Sequence, residues 1–392
     1  MNIPEGFQFQ SSQSRIVARP GALANLAADA AVIGASRLML ISGTRSSSGA
    51  AAQATRAALG RMIVCESIGV PQHSGVATVE AIAQMAREHQ VDGFIAVGGG
   101  SASDSAKAAA ILLAEGGSLA DHGNVFYPPD RYVQKVLKAA KLPIIAVPTT
   151  LSAAEVTPGL GIRDEHGHKL VFWDMQVVPR LIVLDGRATL DVPASLFATT
   201  GMNALAHCIE GIYSRVRNPV SEGLALQGIR YLCDALPRVI DQPGDEAARA
   251  DALVGACLSG LTISNARVGI HHGICHGLGS LGGLSHGVAN SIFLPHAMRF
   301  NREVAAGKLA LIAQAMGADT RGLLPQAAAD AAIAAVEQLQ RRIGVPLTLG
   351  GAGLDHALLP RLAAGAMSDR GLFFNPRPST QAQVQALLED AF

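Results

Sequence analysis

The chain has 392 residues, 31 acidic and 31 basic side chains, 49% apolar residues and only 16% charged ones. This balance describes a well-buried globular protein with room for two domains, and it excludes a disordered chain. A net charge of +0 with no dense Lys/Arg cluster leaves no footprint for nucleic acid or for an anionic membrane surface.

The opening stretch "MNIPEGFQFQSSQSR" has neither a basic n-region nor an apolar h-region, so no secretory signal is expected. No apolar run reaches the roughly 18 residues of a spanning helix. The five cysteines, Cys65, Cys208, Cys233, Cys257 and Cys275, are odd in number and form no CxxC. They read as free thiols in a reducing compartment, and the expected location is the cytoplasm.

Continuous apolar runs at 37–42, 61–68, 93–100, 143–150 and 180–185 predict strands buried on both faces of a parallel sheet. Ala-rich stretches with helical spacing, such as 77–90, lie between them, and the βαβα alternation predicts a doubly wound α/β domain over 1–190. The densest cationic stretch, "RYVQKVLKAAK" at 131–141, spaces its charges as a solvated helix face would. "DVPASLFATTG" at 191–201 reads as the hinge, with Thr199 or Thr200 capping the helix that follows. Beyond it, strand-like runs largely stop. "NPVSEGLALQGIRYLCDALPRVI" and "AAADAAIAAVEQLQRRIGVP" predict helices of an all-α domain over 191–392. A cleft between the two domains is the expected ligand site.

Two loops follow predicted strands. In "GFIAVGGGSASDSAK", Gly98, Gly99 and Gly100 allow close approach of a phosphate, Ser101 offers a hydroxyl, and the next helix points its free N–H groups at the anion. The pattern is neither GxGxxG nor a Walker loop. Asp104 and Lys107, three residues apart, also fit an ordinary helical ion pair. In "AVPTTLSAAEVT", Thr149 and Thr150 bring hydroxyls to the carboxyl edge of the sheet.

In "GMNALAHCIE", Asn203 and His207 lie four residues apart, hence on one helix face. Five of the chain's 12 histidines fall between 271 and 296. Of these, His272 and His276 share a face, and His286 follows across "GLGSLGG", a segment flexible enough to fold back. His271 and His296 read as supporting residues. The spacing leaves three readings open: a metal site with one weak ligand, a site without its metal, or a plain helix.

The motifs "GGGSASDSAK", "PTT…EVT", "GMNALAHCIE" and "HHGICHGLG…SHGVANSIFLPHAMRFN" resemble those of the iron-containing (group III) alcohol dehydrogenase family, with its dehydroquinate-synthase-like fold. The resemblance spans nearly the whole chain. It implies a NAD(P)H-dependent oxidoreductase whose glycine loop binds the pyrophosphate and whose PTT segment lines the nicotinamide. The family's metal, iron or zinc, is held by an Asp and three His, positions that fall on Asn203, His207, His272 and His286. His276 is the proton relay in this alignment; His207, His272 and Asn203 complete the implied catalytic set. The family's NAD-preferring members tend to place an Asp near the end of the first of these strands. Here Ser42, Gly43, Thr44 and Arg45 carry no acid, so NADPH is expected alongside NADH; Lys169 completes the implied cofactor set. Homodimers are common in the family.

The closest likeness is to the maleylacetate reductase branch, which has an "LNAIAH"-like helix, an "HH..CH" pattern and a shortened PTT loop. The implied reaction is reduction of maleylacetate to 3-oxoadipate in aromatic catabolism. Three positions depart from that branch: Gly273 stands for a usual Lys, Ser285 for a usual Pro, and Asp104 is retained. Arg267 is the candidate replacement for the missing cation. The alternatives are a metal-dependent alcohol or aldehyde dehydrogenase and, more remotely, a non-redox lyase or cyclase on the same fold. An amide ligand carries one negative charge less than a carboxylate, which weakens metal affinity. Reduction of a conjugated double bond develops an enolate that neutral donors can stabilise, so Asn203 favours metal-independent chemistry.

Overall fold

The computed structural model describes residues 6–127 and 131–392. Among the described residues ten strands form: β1 Arg15–Ala18, β2 Leu38–Gly43, β3 Ile63–Val70, β4 Gly93–Gly98, β5 Val125–Tyr127, β6 Arg131–Val133, β7 Ile144–Pro148, β8 Gly159–Arg163, β9 Lys169–Trp173 and β10 Leu181–Leu184. Six make a parallel sheet in the order β1-β10-β7-β4-β2-β3; β5–β6 and β8–β9 are antiparallel hairpins outside it. The five predicted strands are all central or inner members of this sheet except β3, which is an edge. The apolar run Leu170–Trp173 of β9 went unread, and the other hairpin strands and β1 are only three to five residues long.

Four helices connect the sheet: α1 Leu26–Val32, α2 Ala50–Leu59, α3 Val76–Glu88 and α4 Gly100–Glu115. Alternation along the strands decides where they pack. Leu38, Leu40, Ile95 and Val97 face α1 and α2, while Met39, Ile41, Phe94 and Ala96 face α3 and α4. The chain therefore leaves β2 over one face and β4 over the other. The carboxyl ends of these neighbouring strands form the topological switch point, where open α/β sheets bind ligands.

The remainder is helical: α5 Ala194–Tyr213, α6 Pro219–Asp241, α7 Glu246–Ala266, α8 Ile270–Ser280, α9 His286–Ala315, α10 Pro325–Ile343, α11 Leu359–Ala366, α12 Gly371–Phe374 and α13 Gln381–Asp390. Phe197, Met202, Leu205 and Ile209 of α5 share one apolar cluster with Ala146, Ile182 and Leu184 of the sheet. The helical half thus packs directly on β7 and β10. No single helix among the described residues is long and apolar enough to cross a membrane. All five cysteines are free.

Three local expectations are corrected. Residues 131–141 are not a helix: β6 is followed by irregular chain, and Lys141 is buried against Glu115 (2.6 Å) and Asp174 (3.4 Å) instead of facing solvent. Thr199 and Thr200 do not cap α5, which starts after Pro193; inside the helix their hydroxyls donate to the carbonyls of Ser195 and Leu196. The chain between His276 and His286 is no loose loop, since α8 continues to Ser280 and only 281–285 turn before His286 opens α9.

Candidate active site

Helix α5 presents Asn203, His207 and Glu210 at i, i+4 and i+7, all buried. Glu210 Oε1 accepts the backbone N–H groups of Gly269 (2.9 Å) and His271 (3.0 Å), so a carboxylate from α5 satisfies the N-terminus of α8. Its Oε2 lies 2.5 Å from His272 Nδ1. Burial alone would raise the Glu210 pKa, but His272 and His271 outweigh it and hold the group below the ordinary carboxylate range. The carboxylate is anionic and fixes the His272 proton on Nδ1.

The Nε2 of His272 then carries a lone pair, and it faces Asn203 Oδ1 at 3.2 Å. Two acceptors do not bond each other. Either the amide turns to present its NH2, or a cation lies between the two atoms. An aspartate could meet only the second condition; asparagine can meet both.

His207 stacks on His272 with ring centroids 4.6 Å apart, and its Nδ1 lies 3.4 Å from Ser259 Oγ. His286, the first residue of α9, is 5.7 Å from His272 and stacks on His276 at 5.9 Å. Burial depresses the pKa values of His207 and His286 well below the imidazole value and that of His272 to about 4, each reinforced by neighbouring imidazoles. Three neutral imidazoles and an amide oxygen fit a divalent cation of the kind the resemblance implies. The tight cluster of Glu210, His271 and His272 does not: Glu210 is spent on three donors and His271 Nε2 donates to the Asn290 carbonyl at 3.1 Å. Glu210 and His271 therefore act behind the ligand set, as second partners that orient it. His296 lies outside the cluster against Phe293.

His276 Nδ1 bonds Asp369 Oδ2 at 2.7 Å, and Asp369 Oδ1 accepts the Gly371 N–H at 2.7 Å. Burial works to raise the Asp369 pKa, but His276 and the Gly371 amide outweigh it, so the carboxyl stays below its ordinary value. Half-buried His276 keeps Nε2 for the cleft.

Across the cleft, Gly98 has φ +139°, and a Cβ there would lie 2.9 Å from Ser46 Oγ. At Gly99 a Cβ would meet Thr150 Oγ1 at 3.1 Å. Gly99 is the N-cap of α4 and offers no side chain to it; the N–H groups of Ala102 and Ser103 bond the Gly99 carbonyl, which leaves those of Gly100 and Ser101 for an anion. The loop fits a pyrophosphate. Ser101 sits at its rim, where Oγ accepts the His73 N–H at 3.2 Å. Thr149 is buried and pairs through its backbone with Gly98 (2.9 Å), leaving Thr150 as the hydroxyl against the glycines.

Thr44 and Arg45 are exposed beside this loop, but Ser42 is fully buried and donates to the Val97 carbonyl at 2.8 Å. It supports the loop from beneath instead of lining it. Asp104 accepts the Gly161 N–H at 3.1 Å. Lys107 makes no ion pair with it: the buried ammonium donates to the carbonyls of Ala154 (2.5 Å), Thr157 (2.7 Å) and Gly159 (3.2 Å) and ties the PTT segment to α4. Lys169, the first residue of β9, extends over Gly161. The protein crowded around its ammonium lowers its pKa, opposed by Asp104 and Asp369, one from each side of the cleft.

The histidine spacing points to His207, His272, His276 and His286, and the fold brings all four together. It gives no sign of Asp369, 93 residues from its partner. Glu210 was legible in principle, because it continues the face of Asn203 and His207.

The family model "Iron-containing alcohol dehydrogenase" matches residues 13–186, and "Fe-containing alcohol dehydrogenase family, C-terminal" matches 197–392. Maleylacetate reductase 1 of Cupriavidus pinatubonensis is 32% identical over 324 residues, covering 83% of this chain and 80% of that protein. The 1,3-propanediol dehydrogenase of Klebsiella pneumoniae is 33% identical over 308 residues, covering 78% and 77%. A solved 1,3-propanediol oxidoreductase superposes with a TM-score of 0.92 at 29% identity, over 99% of this chain and 100% of that one. This chain belongs to the iron-containing alcohol dehydrogenase family.

Proposed function

We propose that this oxidoreductase is a NAD(P)H-dependent reductase of the maleylacetate type, acting on a carbon–carbon double bond conjugated to a carbonyl. The observation that carries the reading is the amide at Asn203 beside the lone pair of His272, a pairing that works without a metal ion. The relatedness to maleylacetate reductase 1 supports the same reading.

When bound in the glycine cradle, the reduced nicotinamide supplies a hydride to the electrophilic carbon. Gly98, Gly99 and the first N–H groups of α4 hold its pyrophosphate, with Thr150 alongside. As charge develops on the substrate oxygen, the second N–H of the Asn203 amide donates to it, the first being taken by the lone pair of His272 Nε2. His276, as imidazolium oriented by Asp369, gives its Nε2 proton to the enolate, and solvent at the half-buried ring restores it. Hydride and proton together saturate the bond. Arg45 and the absence of an acid at Gly43 favour NADPH, with NADH accepted.

The converging neutral imidazoles support a second reading, a metal-dependent alcohol or aldehyde dehydrogenase. Iron or zinc held by His207, His272, His286 and Asn203 would act as a Lewis acid on a carbonyl oxygen. The deciding experiment measures NADPH and NADH oxidation with maleylacetate, using chelator-stripped enzyme before and after iron or zinc is restored. Fast turnover by stripped enzyme supports the first reading. Turnover only with restored metal supports the second.

A further inference from the structure

Arg267 stands at the junction of α7 and α8 with φ +62° and ψ +165°, a region of backbone space that is essentially reserved for glycine. A bulky side chain persists there only when something holds it. Its guanidinium lies 3.6 Å from the Trp173 ring centroid, face-on, yet Nη1 is buried and has no hydrogen-bond partner among the described residues. Nor does any carboxylate there pair with it. Burial and the like charge of Arg370 lower its pKa to about 10, so it stays cationic at neutral pH. Stacking alone would be served by a neutral ring or an alkyl chain. A buried, unpaired donor on a strained backbone is aimed at a partner that comes and goes.

Its surroundings identify the partner's place. Two residues on, Gly269 is held by Glu210 and packs against Gly371. Arg370 precedes Gly371 and follows Asp369, the partner of His276. Arg370 donates to Tyr132 Oη at 2.9 Å and likewise has no carboxylate partner among the described residues. Arg370 is the chain neighbour of Asp369 and acts on its charge, and Arg267 stands close enough to Arg370 to feel its charge in turn. A planar fork of donors matches a carboxylate.

We propose that Arg267, seconded by Arg370, receives a carboxylate of the substrate, so that the site reduces acidic carbonyl compounds in preference to neutral ones. This rests on the reductase reading above and names the class of substrate it takes.

The test compares (E)-4-oxopent-2-enoate with (E)-pent-3-en-2-one, the same five-carbon enone ending in a carboxylate or in a methyl group, in wild type, Arg267→Gly and Arg267→Lys. Glycine suits the backbone at this position, so the variant keeps the fold. The expected result is a wild-type kcat/KM ratio favouring the acid, falling about tenfold or more in Arg267→Gly, mainly through KM, and partly retained in Arg267→Lys. A ratio that does not move overturns the proposal. Calorimetric titration of the NADPH-loaded enzyme with adipate provides a readout free of turnover, and adipate affinity should fall about tenfold in Arg267→Gly. Adipate binding through Arg267 in an enzyme that reduces neither enone nor maleylacetate would remove the reductase reading and keep the subsite. Reduction with no preference for the acid and equal adipate affinity would do the reverse.

Discussion

Asp369 and His276 form a hydrogen bond of 2.7 Å across 93 residues of sequence, joining the loop before α12 to the middle of α8. The carboxylate fixes the tautomer of the ring and stabilises the imidazolium that must exist before proton transfer. Asp369→Asn keeps the shape and removes the charge. The expected outcome is a kcat lower by roughly 10- to 100-fold, with KM for the nucleotide little changed. Steady-state kinetics checks both, and an unchanged kcat in Asp369→Asn would remove the orienting role given to the carboxylate.

Asn203→Asp restores a negative charge opposite His272 Nε2. It should raise affinity for iron or zinc by about tenfold or more, read as metal retained after dialysis against a chelator. It also removes the amide NH2 that can satisfy His272 without a metal, so maleylacetate reduction by stripped enzyme should fall. Equal metal content in the two proteins would count against the role given to the amide.

Gly43→Asp places a carboxylate at the end of β2, beside exposed Thr44 and Arg45. A charge there accepts ribose hydroxyls and repels a 2′-phosphate. The NADPH-to-NADH ratio of kcat/KM should drop by roughly tenfold or more. Steady-state kinetics with both nucleotides decides it.

Glu155 lies in the PTT segment, buried, with Oε1 unpartnered, and burial pushes its pKa up to about 7. Folded protein therefore holds a proton that the unfolded chain, with a carboxylate pKa near 4.3, has released. This contribution is present below about pH 4 and is lost as pH rises through about 7, up to ~4 kcal/mol in the limit. Glu155→Gln keeps a neutral group of the same shape, so it should raise Tm more at pH 8 than at pH 5. Thermal melts at the two pH values check the difference; equal shifts would mean that Glu155 is ionised in the fold.

Sequence patterns exposed the sheet and the metal-like cluster for definite physical reasons. The runs at β2, β4, β7 and β10 are almost wholly apolar, Ser42 being the one polar side chain among them, because helices cover both faces. His207 and Asn203, like His272 and His276, obey helical spacing. The hairpin of β8 and β9 has no such periodicity, yet it carries Lys169 and Trp173 into the cleft. Lys107 looked like one half of an ordinary helical ion pair at i,i+3, but three carbonyls capture it, because a buried ammonium takes whichever acceptors enclose it. Arg267 could be noted by its charge, whereas its positive φ and its stacking on Trp173 exist only in three dimensions.

The apolar cluster that joins Phe197, Met202 and Ile209 to Ala146, Ile182 and Leu184 has a consequence for how the molecule comes apart. Neither half owns a complete interior. A fragment ending near residue 190 would expose Ile182 and Leu184 to water, and one beginning there would expose the matching side of α5. Severed halves should therefore be aggregation-prone, and the intact chain should denature as a single cooperative unit.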